Sequence, residues 1–233
     1  KVTCCSRRKK LNKAFLRFCS SIKFHQTLNL IKIVNFLLLI FFICYANTSY
    51  SMQFDEGIDY KVIDIKNSQL NKKPLEVVEF FGYFCPHCKS FSPSLKKWEK
   101  SLPKNVKFKQ LHVPFRDINH QKLFFTLTNM NAEEKLHYNI FNAVQVKGIP
   151  LNNFLEILSW VESYGIDETE FEKVWNSKKV KSEMDNATRL MKLYKIDGVP
   201  QLIINGRYLT SPAMAGGSHK RTLKVVEYLL NKK

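Results

Sequence analysis

The stretch "LEVVEFFGYFCPHCKSF", residues 75–91, runs an almost continuous apolar segment of strand length directly into two cysteines separated by two residues. Leu75 to Tyr83 reads as a β-strand, entered after Pro74 and rich in β-branched and aromatic residues. The period then changes, because Phe91, Leu95, Trp98 and Leu102 recur three and four residues apart, as on one face of a helix. Cys85 therefore falls at a helix N-terminus with Pro86 in the first turn, where a missing N–H costs nothing. Pro93 is a candidate kink within that helix. "NVKFKQLHVPF", Asn105 to Phe115, is a further strand, which completes the strand, helix, strand unit of a parallel sheet.

Working outward, "YKVIDI" (Tyr60 to Ile65) alternates as a half-buried strand. Beyond Phe115 the pattern is helical for about 80 residues. "HQKLFFTLTNM", "AEEKLHYNIFNAVQ", "LNNFLEILSWVESYG", "DETEFEKVWNS" and "VKSEMDNATRLMKLYKI" carry apolar residues three and four apart, divided by short joints. Sheet signals return in "QLIINGRYLT", where Asn205-Gly206 marks a hairpin, and "HKRTLKVVEYLLNK" closes the chain as an amphipathic helix. The expected organisation is a leader over 1–51, a sheet domain over 52–115 and 197–233, and an inserted all-helical domain over 116–196.

The formal charge of +17 suggests nucleic acid until its location is considered. Residues 1–51 hold nine basic residues and no acid, so the remainder has 28 basic against 20 acidic residues, a charge of +8. Those lysines sit at helical surface spacings, as solvated faces do, and no nucleic-acid site is expected. "IVNFLLLIFFICYA", residues 33–46, is an uncharged apolar run of 14 after Lys32. A signal-peptide core spans ~7–15 residues and a membrane helix ~20, so export with cleavage near Ala46 or Ser51 is expected, with anchoring through 33–46 as the alternative.

With Cys4, Cys5, Cys19 and Cys44 in the leader, only Cys85 and Cys88 remain in the exported chain. A bridge between them closes almost no loop and stabilises little as a staple. A structural zinc site needs four ligands, and no second Cys-x-x-Cys follows. Thiol–disulfide exchange remains, with no metal or organic cofactor. It requires one cysteine to ionise readily, and unpaired N–H groups at a helix N-terminus favour negative charge on the Cys85 sulfur, with His87 adding a hydrogen bond or a positive charge. Cys85 is then the exposed, attacking thiol and Cys88, one turn on, the buried, resolving one. Phe81, Tyr83 and Phe84 form either an apolar apron for unfolded chains or part of the core. His112, His120, His137 and His219 have no ligand spacing and read as structural or surface residues.

"EFFGYFCPHC", the helical insertion, "WNSKKVKS" and the later "GVP" together resemble the DsbA-type thiol:disulfide oxidoreductases. The resemblance covers residues 52–233 and implies an α/β, thioredoxin-like fold with an inserted all-helical domain. It implies that Val199-Pro200 is the cis-proline loop packed against the cysteines, with Val199 pairing to an extended substrate. Gly148-Ile149-Pro150 is a decoy, since helical rather than strand patterning follows it. Glu79 takes the position of the family's buried glutamate, a proton relay to Cys88, the alternative being a solvent-facing carboxylate. The lysine that often accompanies that acid is replaced by Gln110, and Lys109 points to the other face.

By this resemblance the function is a periplasmic thiol:disulfide oxidase that acts on reduced exported proteins and is reoxidised by a DsbB-type quinone-linked membrane oxidase. With the leader cleaved, residues 52–59 are too short for the added dimerisation region of isomerases and a monomer is expected; an uncleaved 1–51 reopens the matter. An isomerase or reductase on the same fold is the nearest alternative, and a chaperone-like binder of unfolded chains the alternative from another class.

Overall fold

The computed structural model describes residues 32, 34–41, 53–63 and 75–232. Residues 34–41 are helical, and no helix among the described residues is long and apolar enough to cross a membrane. The expected cleavage sites, and Asp64 and Ile65 of the first expected strand, lie outside the described residues.

From Phe54 onward five strands form one sheet: β1 (Lys61–Val62), β2 (Leu75–Phe81), β3 (Val106–His112), β4 (Gln201–Ile204) and β5 (Tyr208–Thr210). Their order is β1-β5-β4-β2-β3, with β2 and β3 parallel and the other neighbours antiparallel. The parallel pair is possible because helix α1 (Pro86–Glu99) carries the chain back across the sheet between them. α1 runs through Pro93 to Glu99.

Five helices stand between β3 and β4: α2 (Ile118–Asn129), α3 (Glu133–Gln145), α4 (Phe154–Glu162), α5 (Glu168–Trp175) and α6 (Lys178–Leu193). Side chains of Asp117, Asn153, Asp167 and Ser177 cap the starts of α2, α4, α5 and α6, while α3 starts at Ala132 without a side-chain cap. The hairpin from β4 to β5 turns at Asn205 and Gly206, both at positive φ (53° and 64°), with the Arg207 N–H donating to Ile204 at 3.0 Å. α7 (His219–Asn231), capped by Ser218, completes the chain.

β2 belongs to both faces of the sheet. Val77 packs with Phe91, Leu95 and Trp98 of α1 and with Val225 and Leu229 of α7. Val78 and Phe80 point the other way, to Ile196, Ile203 and Leu209. The strand period of two puts Glu79 and Phe81 on the Val77 side, so Glu79 enters an interior that its strand cannot avoid burying. Phe81 and Tyr83 join a third cluster with Leu136, Ile140 and Phe141 of α3.

Candidate active site

β2 stops at Phe81, two residues short of the expected end, and a turn over Gly82–Phe84 delivers Cys85 to the start of α1. The Cys85 N–H donates to Gly82 at 3.0 Å. The backbone of Tyr83 is held by side chains, since its N–H donates to His112 Nε2 at 2.9 Å and its carbonyl accepts from Gln145 Nε2 at 2.6 Å. His112 is fully buried and donates through Nδ1 to the Val113 carbonyl at 2.8 Å, which fixes its tautomer. Burial, reinforced by His120, holds its pKa well below the ordinary imidazole value.

Cys85 is the N-cap of α1, with extended φ and ψ of −92° and 115°, and Pro86 follows in the first turn. The Cys88 N–H donates to Cys85 Sγ at 3.3 Å, using a donor that the helix leaves free. Both cysteines are free thiols here. The Cys85 pKa is lowered from 9.0 to about 6, first by a hydrogen bond from the Cys88 thiol, then, against the cost of burial, by the backbone N–H groups of Cys88 and His87 and the His87 charge. Cys88 is pushed far upward, first by burial, then by donating to Cys85 and by the charges of Glu79 and Cys85. The pKa values of the two thiols thus move in opposite directions. His87 contributes through its backbone N–H ahead of its imidazole.

One expectation is corrected. Cys85 is only 7% exposed rather than open, because the loop before β4 covers it and its thiol donates to the Val199 carbonyl at 3.2 Å. Of the two readings open for the aromatics, the core holds for Phe81 and Tyr83, which are buried, and only Phe84 is partly accessible. The Val199–Pro200 bond is cis, and among the described residues no other peptide bond is, so Pro150 is an ordinary trans residue.

Glu79 lies beneath the pair, 2% exposed, and accepts from Gln110 Nε2 at 2.7 Å. Burial raises its pKa from 4.5 to about 8; the Gln110 hydrogen bond opposes this, and the charges of Cys85, Glu133 and Glu99 add to it. Lys109 turns outward to Glu76, at 2.7 Å. A cavity of about 210 Å³ between α1, β3 and α3 is lined by Gln110 and His137 but by neither cysteine. No group of three His, Cys, Asp or Glu among the described residues is placed to hold a metal.

Of the two side chains that hold the turn, sequence reasoning missed Gln145 and gave His112 only as a structural or surface residue. Gln145 follows Phe141 by four residues, and His112 follows Phe108 and Gln110 by steps of two. For Gln145 the available signal was a polar residue on an apolar helix stripe.

The family model of DSBA-like thioredoxin domains matches residues 76–224. The thiol:disulfide interchange protein DsbA of Azotobacter vinelandii is 39% identical over 158 residues, 67% of this chain and 73% of that protein. The protein of the same name from Burkholderia cepacia is 35% identical over 179 residues, 75% of this chain and 83% of its own. The crystal structure of Pseudomonas aeruginosa DsbA superposes with a TM-score of 0.70 at 32% identity, covering 76% of this chain and 93% of that one.

Proposed function

Since the chain belongs to the family of DSBA-like thioredoxin domains, we propose that it is a thiol:disulfide oxidase, which passes the Cys85–Cys88 disulfide to reduced proteins newly exported to the periplasm. The observation that carries this reading is the opposition between the two thiols: Cys85 acidified at the helix N-cap, Cys88 buried and reluctant to ionise.

In the oxidised enzyme a substrate thiolate attacks Cys85 Sγ, a substrate–enzyme disulfide forms, and the electron pair of the broken bond leaves on Cys88 sulfur. Buried Cys88 must then take a proton. Glu79, with its pKa near 8, carries one at neutral pH and lies close enough to act on Cys88 electrostatically. A second substrate thiolate attacks the substrate sulfur of the mixed disulfide and expels Cys85 as a thiolate. That leaving group is a good one because the Cys88 N–H and the start of α1 stabilise its charge. The substrate loses two electrons and the cysteine pair gains them. Val199, next to Cys85 and ahead of an antiparallel strand, offers its backbone to an extended substrate segment.

Residues 52–115 and 197–233 act as the redox domain and 116–196 as an inserted helical domain. The 1–51 leader directs export, and the enzyme works as a monomer. The electrons leave through a quinone-linked membrane oxidase of the DsbB type.

The reading is tested by mixing the oxidised protein with a reduced, unfolded two-cysteine protein and following thiol loss. Stoichiometric transfer is expected from the wild type and none from Cys85→Ala. Equal behaviour of the two proteins would leave only a binder of unfolded chains.

A further inference from the structure

Gln145 ends α3, and its Nε2 reaches the active-site turn from 60 residues away, donating to the carbonyl of Tyr83 at 2.6 Å and to that of Cys85 at 3.1 Å. One amide nitrogen carries two donors, so a single side chain can hold both carbonyls. The Cys85 carbonyl also accepts the Lys89 N–H at 3.1 Å, the first bond of the helix. The peptide between Cys85 and Pro86 has no N–H, so its carbonyl is the only polar atom by which the rest of the protein can fix that plane. The rotation of the plane is ψ of Cys85. Pro86 disfavours a helical ψ in the residue before it, so Cys85 stays extended at 115° as the N-cap; within that extended range, rotation of the plane still moves the Cys85 side chain toward or away from the Cys88 N–H.

We propose that Gln145 is a positioning residue for thiol exchange: by holding the carbonyls on both sides of Phe84 and Cys85, it sets, within the extended range that Pro86 imposes, the rotation that aims the Cys88 N–H at the attacking sulfur. This rests on the reading of the pair as a redox centre. It also gives the helical insertion a chemical task, since the donor comes from α3 and not from the sheet or from α1. The role is specific to the amide. Methionine has similar length and no donor, and ionised glutamate would turn two acceptor oxygens toward two carbonyls.

The experiment follows Cys85 ionisation in the reduced full chain by thiolate absorbance across pH, for wild type, Gln145→Met and Gln145→Glu, with a melting temperature for each. The expected result is a midpoint raised by about one unit in both variants. At pH 5, below both midpoints, the thiolate fraction falls about tenfold. Attack on a small disulfide falls only about threefold, because the more basic sulfur is intrinsically more nucleophilic. If Gln145→Met does not fold, Gln145→Leu carries the same comparison; in Gln145→Glu the added carboxylate raises the midpoint by its charge alone, so there an unshifted midpoint is the telling result. Variant midpoints equal to a wild-type midpoint near 6, with only the melting temperature lowered, would make Gln145 a packing residue and overturn its positioning role. A wild-type midpoint at the ordinary thiol value would overturn the redox reading itself, and this inference with it.

Discussion

Gln110 donates to Glu79 at 2.7 Å across the parallel β2–β3 pair, where the two residues are register partners. A neutral amide relieves one lone pair of the buried carboxyl without supplying a positive charge. Desolvation therefore wins over the hydrogen bond, and Glu79 is an acid rather than an anion at neutral pH. In the proposed exchange, this is the proton that Glu79 would offer as Cys88 leaves.

The same relationship makes stability depend on pH in a stated direction. The folded-state pKa of Glu79, about 8, stands above its ordinary 4.5. Its contribution is therefore fully present below about pH 4.5 and is lost as pH rises through about 8, by up to roughly 5 kcal/mol. Denaturant midpoints of wild type and Glu79→Gln between pH 4.5 and 8.5 should diverge, with the wild type losing ground as pH rises. Parallel curves would mean that Glu79 ionises freely in the folded state.

Replacing Gln110 by lysine puts a cation beside Glu79 and lowers its pKa toward the carboxylate range. The Gln110→Lys variant is expected to expel Cys88 more slowly at pH 7 and to shift the pH dependence of mixed-disulfide formation downward by about one unit or more. Stopped-flow rates from pH 5 to 9 measure this; an unshifted profile would remove Glu79 from the proton transfer.

Cys85 has the opposite linkage. Its folded pKa, about 6, is depressed from 9.0, so its stabilisation of the reduced protein is fully present above about pH 9 and is lost as pH falls through about 6. Reduced wild type should therefore gain stability over reduced Cys85→Ser as pH rises from 5 to 9, and the oxidised protein should show no such gain. Chemical denaturation of both redox forms reads the difference.

Away from the site, Arg221 donates to Asp59 Oδ1 from Nε at 3.0 Å and from Nη2 at 2.7 Å, and Asp59 is 2% exposed. Arg221→Ala leaves that carboxylate buried without its cation, at a cost of about 2–4 kcal/mol, moderated because Arg221 itself is partly open to water. A lowered melting temperature with an unchanged Cys85 ionisation midpoint is expected in a calorimetric and spectroscopic comparison.

What the sequence made legible follows from which features are local. The strand into Cys85, the helix on Phe91, Leu95 and Trp98, the five inserted helices and the Asn205-Gly206 hairpin each declare themselves through periodicity or turn chemistry within about a dozen residues. The acidity of Cys85 follows from its place at a helix start, which Pro86 marks. The covering of Cys85 by Val199 and the grip of His112 and Gln145 on Tyr83 depend on contacts 29 to 114 residues apart, which periodicity does not encode. Phe81 and Tyr83 looked suited to a surface apron because an aromatic beside a reactive turn reads the same whether helices pack over it or leave it open. Only the folding of α3 onto them decides, and it buries both.

The central claim is that the protein stabilises the reduced pair and so donates its disulfide. Its most direct measurement is the equilibrium of Cys85 and Cys88 in the full chain against graded glutathione buffers, read by thiol alkylation. A reduction potential clearly above the glutathione couple, higher than about −200 mV, is predicted. A value near about −270 mV, in the range of thioredoxin, would contradict the account and describe a reductase that must be supplied with electrons.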